Sequence, residues 1–348
     1  MEKKTNYAYI DIIRIASMFM VVFLHSAAAG LRTHLGGASW QILNAFTSIF
    51  TAAVPLFFMI SGAVVLDSPN TCGYEVTLKK RLPRLIIPLI AWSVVAAVWT
   101  GVKSSDLSVF LKILTVIPTG EAAIHLWFMY TLIPLYMISP LLKAMVDSAS
   151  RRTLEIGLLL WVIALVLGTI EPFLPENLKF LTQISAFSNM KLFGGYLGFF
   201  LLGYYLHRYP LKINIKWVAA ITCATAVIIA LGTWAVSSES YVEQFKSYRS
   251  AYVIVLSCGI FLIARRLFDG KTLPRQVKTL SALSFGVYLS HNIFISVLYN
   301  IFYWNVSGFS GTSALFAAFC FTVTCVVCGA LTFALSKINP LRFAFTGL

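Results

Sequence analysis

Apolar runs of about twenty residues recur along almost the whole chain, separated by short stretches that carry most of the lysine and arginine. This pattern leaves few folds open. Of the 348 residues 59% are hydrophobic and 11% charged, and the mean hydropathy is +0.82. A soluble domain uses roughly 25% charged residues, so a chain this poor in charge cannot cover itself in water. Soluble enzymes, cytoplasmic or secreted, are excluded, and the chain reads as an all-α polytopic membrane protein. The net charge of +14 belongs to the segments between apolar runs and not to one basic face, which argues against nucleic-acid binding. The first run carries Asp11 and Arg14 and lacks a small-residue cleavage site, so it is a retained helix and not a signal peptide. Five of the six cysteines (Cys223, Cys258, Cys320, Cys325 and Cys328) lie in apolar runs, where Cys behaves as a small hydrophobe. The Cys325-x-x-Cys328 pair has no nearby histidine and gives no metal site.

At about 20 helical residues per crossing, the runs give about ten spans, near 7–28, 43–66, 83–102, 123–145, 154–174, 192–209, 216–236, 248–267, 280–304 and 312–336. Alternate connections are basic. They hold Lys3 and Lys4, then Lys79, Lys80, Arg81 and Arg84, then Lys143, Arg151 and Arg152, then Arg208, Lys212 and Lys216, then Arg265, Arg266, Lys271, Arg275 and Lys278, then Lys337 and Arg342. The others hold only Arg32, Lys103, Lys112, Lys179, Lys191, Lys246 and Arg249. The positive-inside rule then places both termini in the cytoplasm and requires an even number of spans. No repeat and no long polar stretch interrupts residues 1–348, so one membrane domain is expected and no separate soluble one. The apolar segment Asp106–Pro118 is too short to cross and is expected at the outer interface. Gly194 and Gly198 have the spacing of a close helix contact, and Pro134 and Pro140 predict a bend in the fourth span.

Ionisable groups inside spans are costly and each is a candidate for function. Asp11, Arg14 and His25 lie in the first span, His125 opens the fourth and His291 sits within the ninth. Arg14 and His25 are eleven residues apart, which at 100° per residue returns to within about 20° of one face and separates them by about 16 Å. Asp11, one turn from Arg14, is its natural partner, and the pair either serves a ligand or only holds the bundle. His25 has no carboxylate within a turn; it is either a base or a buried histidine bonded to a neighbouring carbonyl. His125 lies about 3 Å inside the outer boundary, level with His25, beside Trp127 and Tyr130. His291, about 16 Å from the inner edge, shares a stripe with Ser284 and Tyr288 that serves either substrate or interhelical hydrogen bonds. His34 and His207 are assigned no role.

Five motifs in order, Arg14-x10-His25, VPLFFMISG (Val54 to Gly62), KKRLPRLIIP (Lys79 to Pro88), HLWFMY (His125 to Tyr130) and SFGVYLSH (Ser284 to His291), resemble the acyltransferase-3 membrane family over nearly the whole chain. The chain is most similar to the short, single-domain O-acetyltransferases that modify cell-surface glycans, without the outer esterase-like domain of longer members. The resemblance implies transfer of an acyl group, usually acetyl, from cytoplasmic acyl coenzyme A to a hydroxyl of an extracytoplasmic saccharide or glycolipid, in the cytoplasmic membrane of a bacterium. It implies that Arg14 and His25 are needed for activity. Acceptor choice then rests on the outer loops or on a partner protein.

Elementary chemistry fits that reading. The polyanionic head of acetyl coenzyme A cannot enter hydrocarbon, and Lys79, Lys80, Arg81 and Arg84 cluster where its phosphates would stop. Arg14 would guide or clamp the arm, whose length is comparable to the Arg14–His25 separation. Transfer to a hydroxyl needs a base and oxyanion donors. His25 is the candidate base, or a covalent acyl carrier; Ser61, His125, Tyr288 and His291 are candidates for oxyanion or substrate hydrogen bonds. Tyr241, Phe245 and Tyr248 could stack on a sugar. No metal is expected. The competing readings are a secondary transporter or flippase of lipid-linked saccharide, with the same residues as an ion path, and a scaffold in which they only pack helices.

Overall fold

The computed structural model describes residues 7–104, 124–170, 195–305 and 312–348, with isolated positions 108, 115, 174, 175 and 177. All elements among them are helical. The principal ones are α1 (Ala8–Leu31), α2 (Ala38–Phe50), α3 (Ala53–Asp67), α4 (Pro83–Ser104), α5 (Trp127–Met137), α6 (Ser139–Ser148), α7 (Arg151–Ile170), α8 (Tyr196–Arg208), α9 (Ile215–Val236), α10 (Ala251–Phe268), α11 (Arg275–Asn305), α12 (Ala314–Leu335) and α13 (Leu341–Thr346).

Seven helical segments among the described residues are long and apolar enough to cross a membrane, eight if α5 and α6 count as one broken span. α2 and α3 together make the second. The break between α5 and α6 is the expected bend: the axes turn by 56° at Ile138, between Pro134 and Pro140, neither of which has a backbone N–H to donate to the helix. The expected fifth and sixth spans fall on α7, of 20 residues, and α8, of 13, so the count of ten reaches beyond these seven or eight. The segment Asp106–Pro118 and Gly194 lie outside the described residues apart from isolated positions. Gly198 does make a close contact: a Cβ there would overlap the Trp161 ring on α7.

α1 runs through the middle, packed against α2, α3, α10, α11 and α12. That position explains how it can carry ionisable residues: they face protein and not lipid. Its neighbour α3 meets α8 backbone to backbone. A Cβ on Gly62 would overlap the Phe200 carbonyl, and one on Gly203 the Met59 carbonyl, so only glycine permits this approach. Helix faces turned away from the bundle are apolar and exposed, as at Val98, Leu159, Trp217, Leu231 and Val326. Such a surface would aggregate in water and is what a multi-pass membrane protein offers to lipid. Hydroxyls inside the helices donate back to their own backbone, as Ser26 does to Val22 O at 2.9 Å and Ser257 to Val253 O at 2.7 Å.

Candidate active site

A cavity of about 760 Å³ opens among Tyr7, Asp67, Asn70, Arg81, Arg84 and Gly347 and ends at Phe57, Phe128 and Tyr288. Along α3, the ten residues from Asp67 to Phe57 give it a depth of about 15 Å. Tyr7 and Gly347, near the two ends of the described residues, line the same opening.

Arg14 lines this cavity and is 34% exposed. Its Nη1 donates to Asp11 Oδ1 and to Ser281 Oγ, each at 3.0 Å, and Ser281 Oγ donates to the same Asp11 oxygen at 2.6 Å. Asp11 itself is only 7% exposed. The carboxylate therefore anchors the guanidinium from behind while the rest of the fork faces the cavity. Both readings of the Asp11–Arg14 pair meet here: it ties α1 to α11, and it presents a cation to whatever enters.

Of the basic cluster, Arg81 and Arg84 line the cavity, and Arg81 Nη1 donates to Thr71 Oγ1 at 2.6 Å. Lys79 and Lys80 are exposed and lie outside its lining, and Lys79 pairs with Glu75 at 3.0 Å. Lys79, Lys80 and Arg81 belong to the π-helical turn Thr77–Arg81, and Arg81 and Arg84, three residues apart, share the helix face turned to the cavity. Ser61, Tyr136 and Ser284 add hydroxyls to the wall.

Beyond Tyr288 the histidines converge. The His291 ring centroid lies 5.0 Å from that of His25 and 5.3 Å from that of His125. His291 thus sits at the level of the other two, deeper than the 16 Å expected from a span beginning near 280. The reason is that α11 starts at Arg275 and carries His291 further across. Tyr288 Oη donates to His125 O at 2.7 Å, His125 Nε2 donates to Leu289 O at 3.2 Å, and Asn292 Nδ2 donates to His125 Nδ1 at 3.3 Å. Both ring nitrogens of His125 are therefore engaged. His291 Nδ1 donates to Tyr288 O, and its Nε2 is buried without a partner among the described residues. His25 makes no hydrogen bond among them. The structure brings Arg14, Ser61, Arg81, Arg84 and Tyr288 to one cavity, while His25, His125 and His291 lie outside its lining and gather behind Tyr288, whose ring centroid is 5.7 Å from that of His291.

Sequence reasoning passed over His207 and Asp67. Tyr9 Oη bonds His207 Nδ1, and His207 Nε2 faces Asp67 Oδ2 at 3.4 Å, on which Tyr7 Oη also donates at 3.4 Å. Asp67 is the one carboxylate among the described lining residues. A Tyr9–His207–Asp67 chain joins α1, α8 and α3, a pairing invisible to spacing within any one helix. The aromatics offered for sugar stacking have faces already taken: Tyr248 stacks on Trp127 (centroids 5.7 Å, 22°), Phe245 on Tyr252 (5.3 Å, 25°), and Lys246 lies over Tyr241.

Among the described residues no group of histidine, cysteine and carboxylate side chains has the arrangement of a metal site. No curated protein and no solved structure matches the chain at a significant level. The acyltransferase-3 family model, described as an acyltransferase domain, matches residues 7–333, which is nearly the whole chain. With its helical bundle and a basic cavity backed at Tyr288 by three neighbouring histidines, the chain belongs to the acyltransferase-3 family and is a membrane acyltransferase.

Proposed function

We propose that the protein moves an acyl group, acetyl in the first place, from cytoplasmic acyl coenzyme A to a hydroxyl of an extracytoplasmic cell-surface saccharide or glycolipid. The observation that carries this reading is the cavity with arginines at its mouth and histidines behind Tyr288 at its far end. In this reading the termini and the basic loops are cytoplasmic, as the positive-inside rule asks. The donor's phosphates stay at the mouth with Arg81 and Arg84, since charge-assisted contacts are strong there and hydrocarbon is closed to them. The neutral arm lies along Arg14, Ser61, Tyr136 and Ser284, and the thioester approaches Tyr288 and the histidines. His25 takes the proton of the acceptor hydroxyl as its oxygen forms the new C–O bond. The C–S bond breaks, and the proton leaves with the coenzyme A thiolate. A base of this kind contributes about 10²–10⁴-fold. Arg14 supplies positive charge along the path, and Tyr288, fixed by its bond to His125 O, closes the wall.

The test follows labelled acetyl from acetyl coenzyme A in inside-out membrane vesicles holding the intact protein, His25→Ala or Arg14→Ala, with native glycans present. The expected result is a base-labile ester on the lumenal side that both substitutions abolish. Untouched acetyl coenzyme A, with other acyl donors equally inert, would overturn the reading in favour of transport.

A further inference from the structure

Three imidazoles meet behind Tyr288, the inner limit of the cavity, and their nitrogens are not equivalent. His125 is spent: one nitrogen donates to Leu289 O and the other accepts from Asn292. His291 is half spent. Its Nδ1 faces the carbonyl oxygen of Tyr288, one turn back on the same helix, and a ring nitrogen facing a carbonyl must carry the hydrogen. In the neutral ring the other nitrogen, Nε2, then holds a lone pair and can only accept. This Nε2 is fully buried and has no partner among the described residues. Burying an acceptor unpaired is costly, so such an atom calls for an explanation. The described side chain that lacks its own bond and lies beside it is His25, with the ring centroids 5.0 Å apart.

We infer that His291 is a positioning residue for acyl transfer: its Nε2 accepts the N–H of His25, turning the lone pair of His25 toward the acceptor hydroxyl. The inference rests on the acyltransfer reading above and adds a second histidine to it. Two rings at this separation form an N–H···N hydrogen bond after a small rotation of His25, and catalytic hydrogen bonds commonly tighten only when substrate is bound. When His25 takes the hydroxyl proton it becomes a cation with two N–H groups. One faces His291 Nε2, which steadies the charge; the other returns its proton to the thiolate once the C–S bond has broken. No net proton or electron is gained. The role of orienting partner, filled elsewhere by a carboxylate, here falls to a neutral ring, which suits a site with no carboxylate described beside it. Tyr288 and His125 brace the arrangement: Tyr288 O fixes the His291 tautomer while Tyr288 Oη holds His125 O.

The test uses the full-length protein in proteoliposomes with acetyl coenzyme A and a glycan acceptor, comparing intact protein, His291→Asn and His291→Gln. Asparagine keeps a donor near the Nδ1 position and places nothing at Nε2; glutamine reaches the Nε2 position with an acceptor oxygen. His291→Asn is expected to lose about 10²-fold in kcat with the donor KM unchanged, and His291→Gln to recover at least a tenth of the intact rate. Imidazole added to His291→Ala, a second variant should asparagine fail to fold, is expected to restore part of the rate. Equal loss in the Asn and Gln variants, a loss confined to KM, or a His291→Asn protein as fast as the intact one would overturn the role of His291 while leaving acyl transfer standing. An intact protein that transfers nothing would overturn the acyltransfer reading itself.

Discussion

The two ends of the site treat polar groups in opposite ways. At the mouth and along the wall just inside it almost every charge is held before any ligand arrives: Arg14 by Asp11 and Ser281, Arg81 by Thr71, Asp67 by Tyr7 and His207. At the closed end, His25 is unbonded among the described residues and His291 Nε2 is buried without a partner. Pre-paired charges hold a fixed shape, which suits recognition of a ligand that brings its own phosphates. Unpaired nitrogens cost stability and are kept where a proton must move. Along α1 the change from one regime to the other takes about 16 Å, the distance from Arg14 to His25.

The strongest way to break this contrast is at the closed end. His25→Ala is expected to lower kcat by about 10²–10⁴-fold while donor KM stays within a factor of two, measured by single-turnover acetyl transfer. An equal effect on KM would mean that the two ends do not divide binding from chemistry. At the mouth, Arg14→Ala leaves Asp11 buried with only Ser281 described beside it. The partly exposed position of Arg14 reduces the 3–5 kcal/mol of a fully buried broken pair to about 1–2 kcal/mol. Its thermal midpoint in detergent should drop and donor KM should rise, whereas Asp11→Asn should keep donor binding better than it keeps stability. Arg81→Ala and Arg84→Ala should each raise donor KM about tenfold, against less than twofold for Lys79→Ala or Lys80→Ala, since a charge-assisted contact is worth about 1.5–3 kcal/mol and only the arginines face the cavity. Titration of initial rates against acetyl coenzyme A separates the two sets.

The smallest effect concerns Lys246, in the loop between α9 and α10. Its Nζ donates to Asn44 Oδ1 and Thr47 Oγ1, each at 2.7 Å, pinning that loop to α2. Burial pushes this ammonium down to about 7, opposed by the nearby Glu243. The unfolded chain holds this proton up to the ordinary lysine range, near 10.4, so between about pH 7 and 10 it binds more protons than the folded one. Folded stability therefore rises with pH across that window and the cost is complete below it. A thermal-midpoint series from pH 6 to 10 should show this slope in the intact protein and not in Lys246→Met.

Much of this was legible before any coordinates. The apolar runs gave the helical class, Pro134 and Pro140 gave the bend, and helical angle arithmetic set Arg14 and His25 on one face of α1; Arg14 lines the cavity, and His25 lies beside His291 behind Tyr288. What stayed hidden depends on contacts between helices or on where a helix begins. Five more residues at the start of α11 moved His291 to the level of His25. Of four neighbouring basic residues only Arg81 and Arg84 line the cavity, which depends on which face of their helix meets the bundle. His207 looked idle because its partners, Tyr9 and Asp67, belong to other helices.

The backbone contact of Gly62 with Phe200 and of Gly203 with Met59 bears on how such a site could open. α3 supplies Phe57, Ile60, Ser61, Val64 and Val65 to the cavity, and it is the helix that this contact fastens to α8. Like the fixed jaw of a caliper, that wall cannot swing without driving backbone into backbone. Whatever travel the donor's entry and exit require must then come from the opposite jaw, where Arg84 and Gly347 form the rim and Trp92 Nε1 holds Phe345 O of α13 at 2.9 Å.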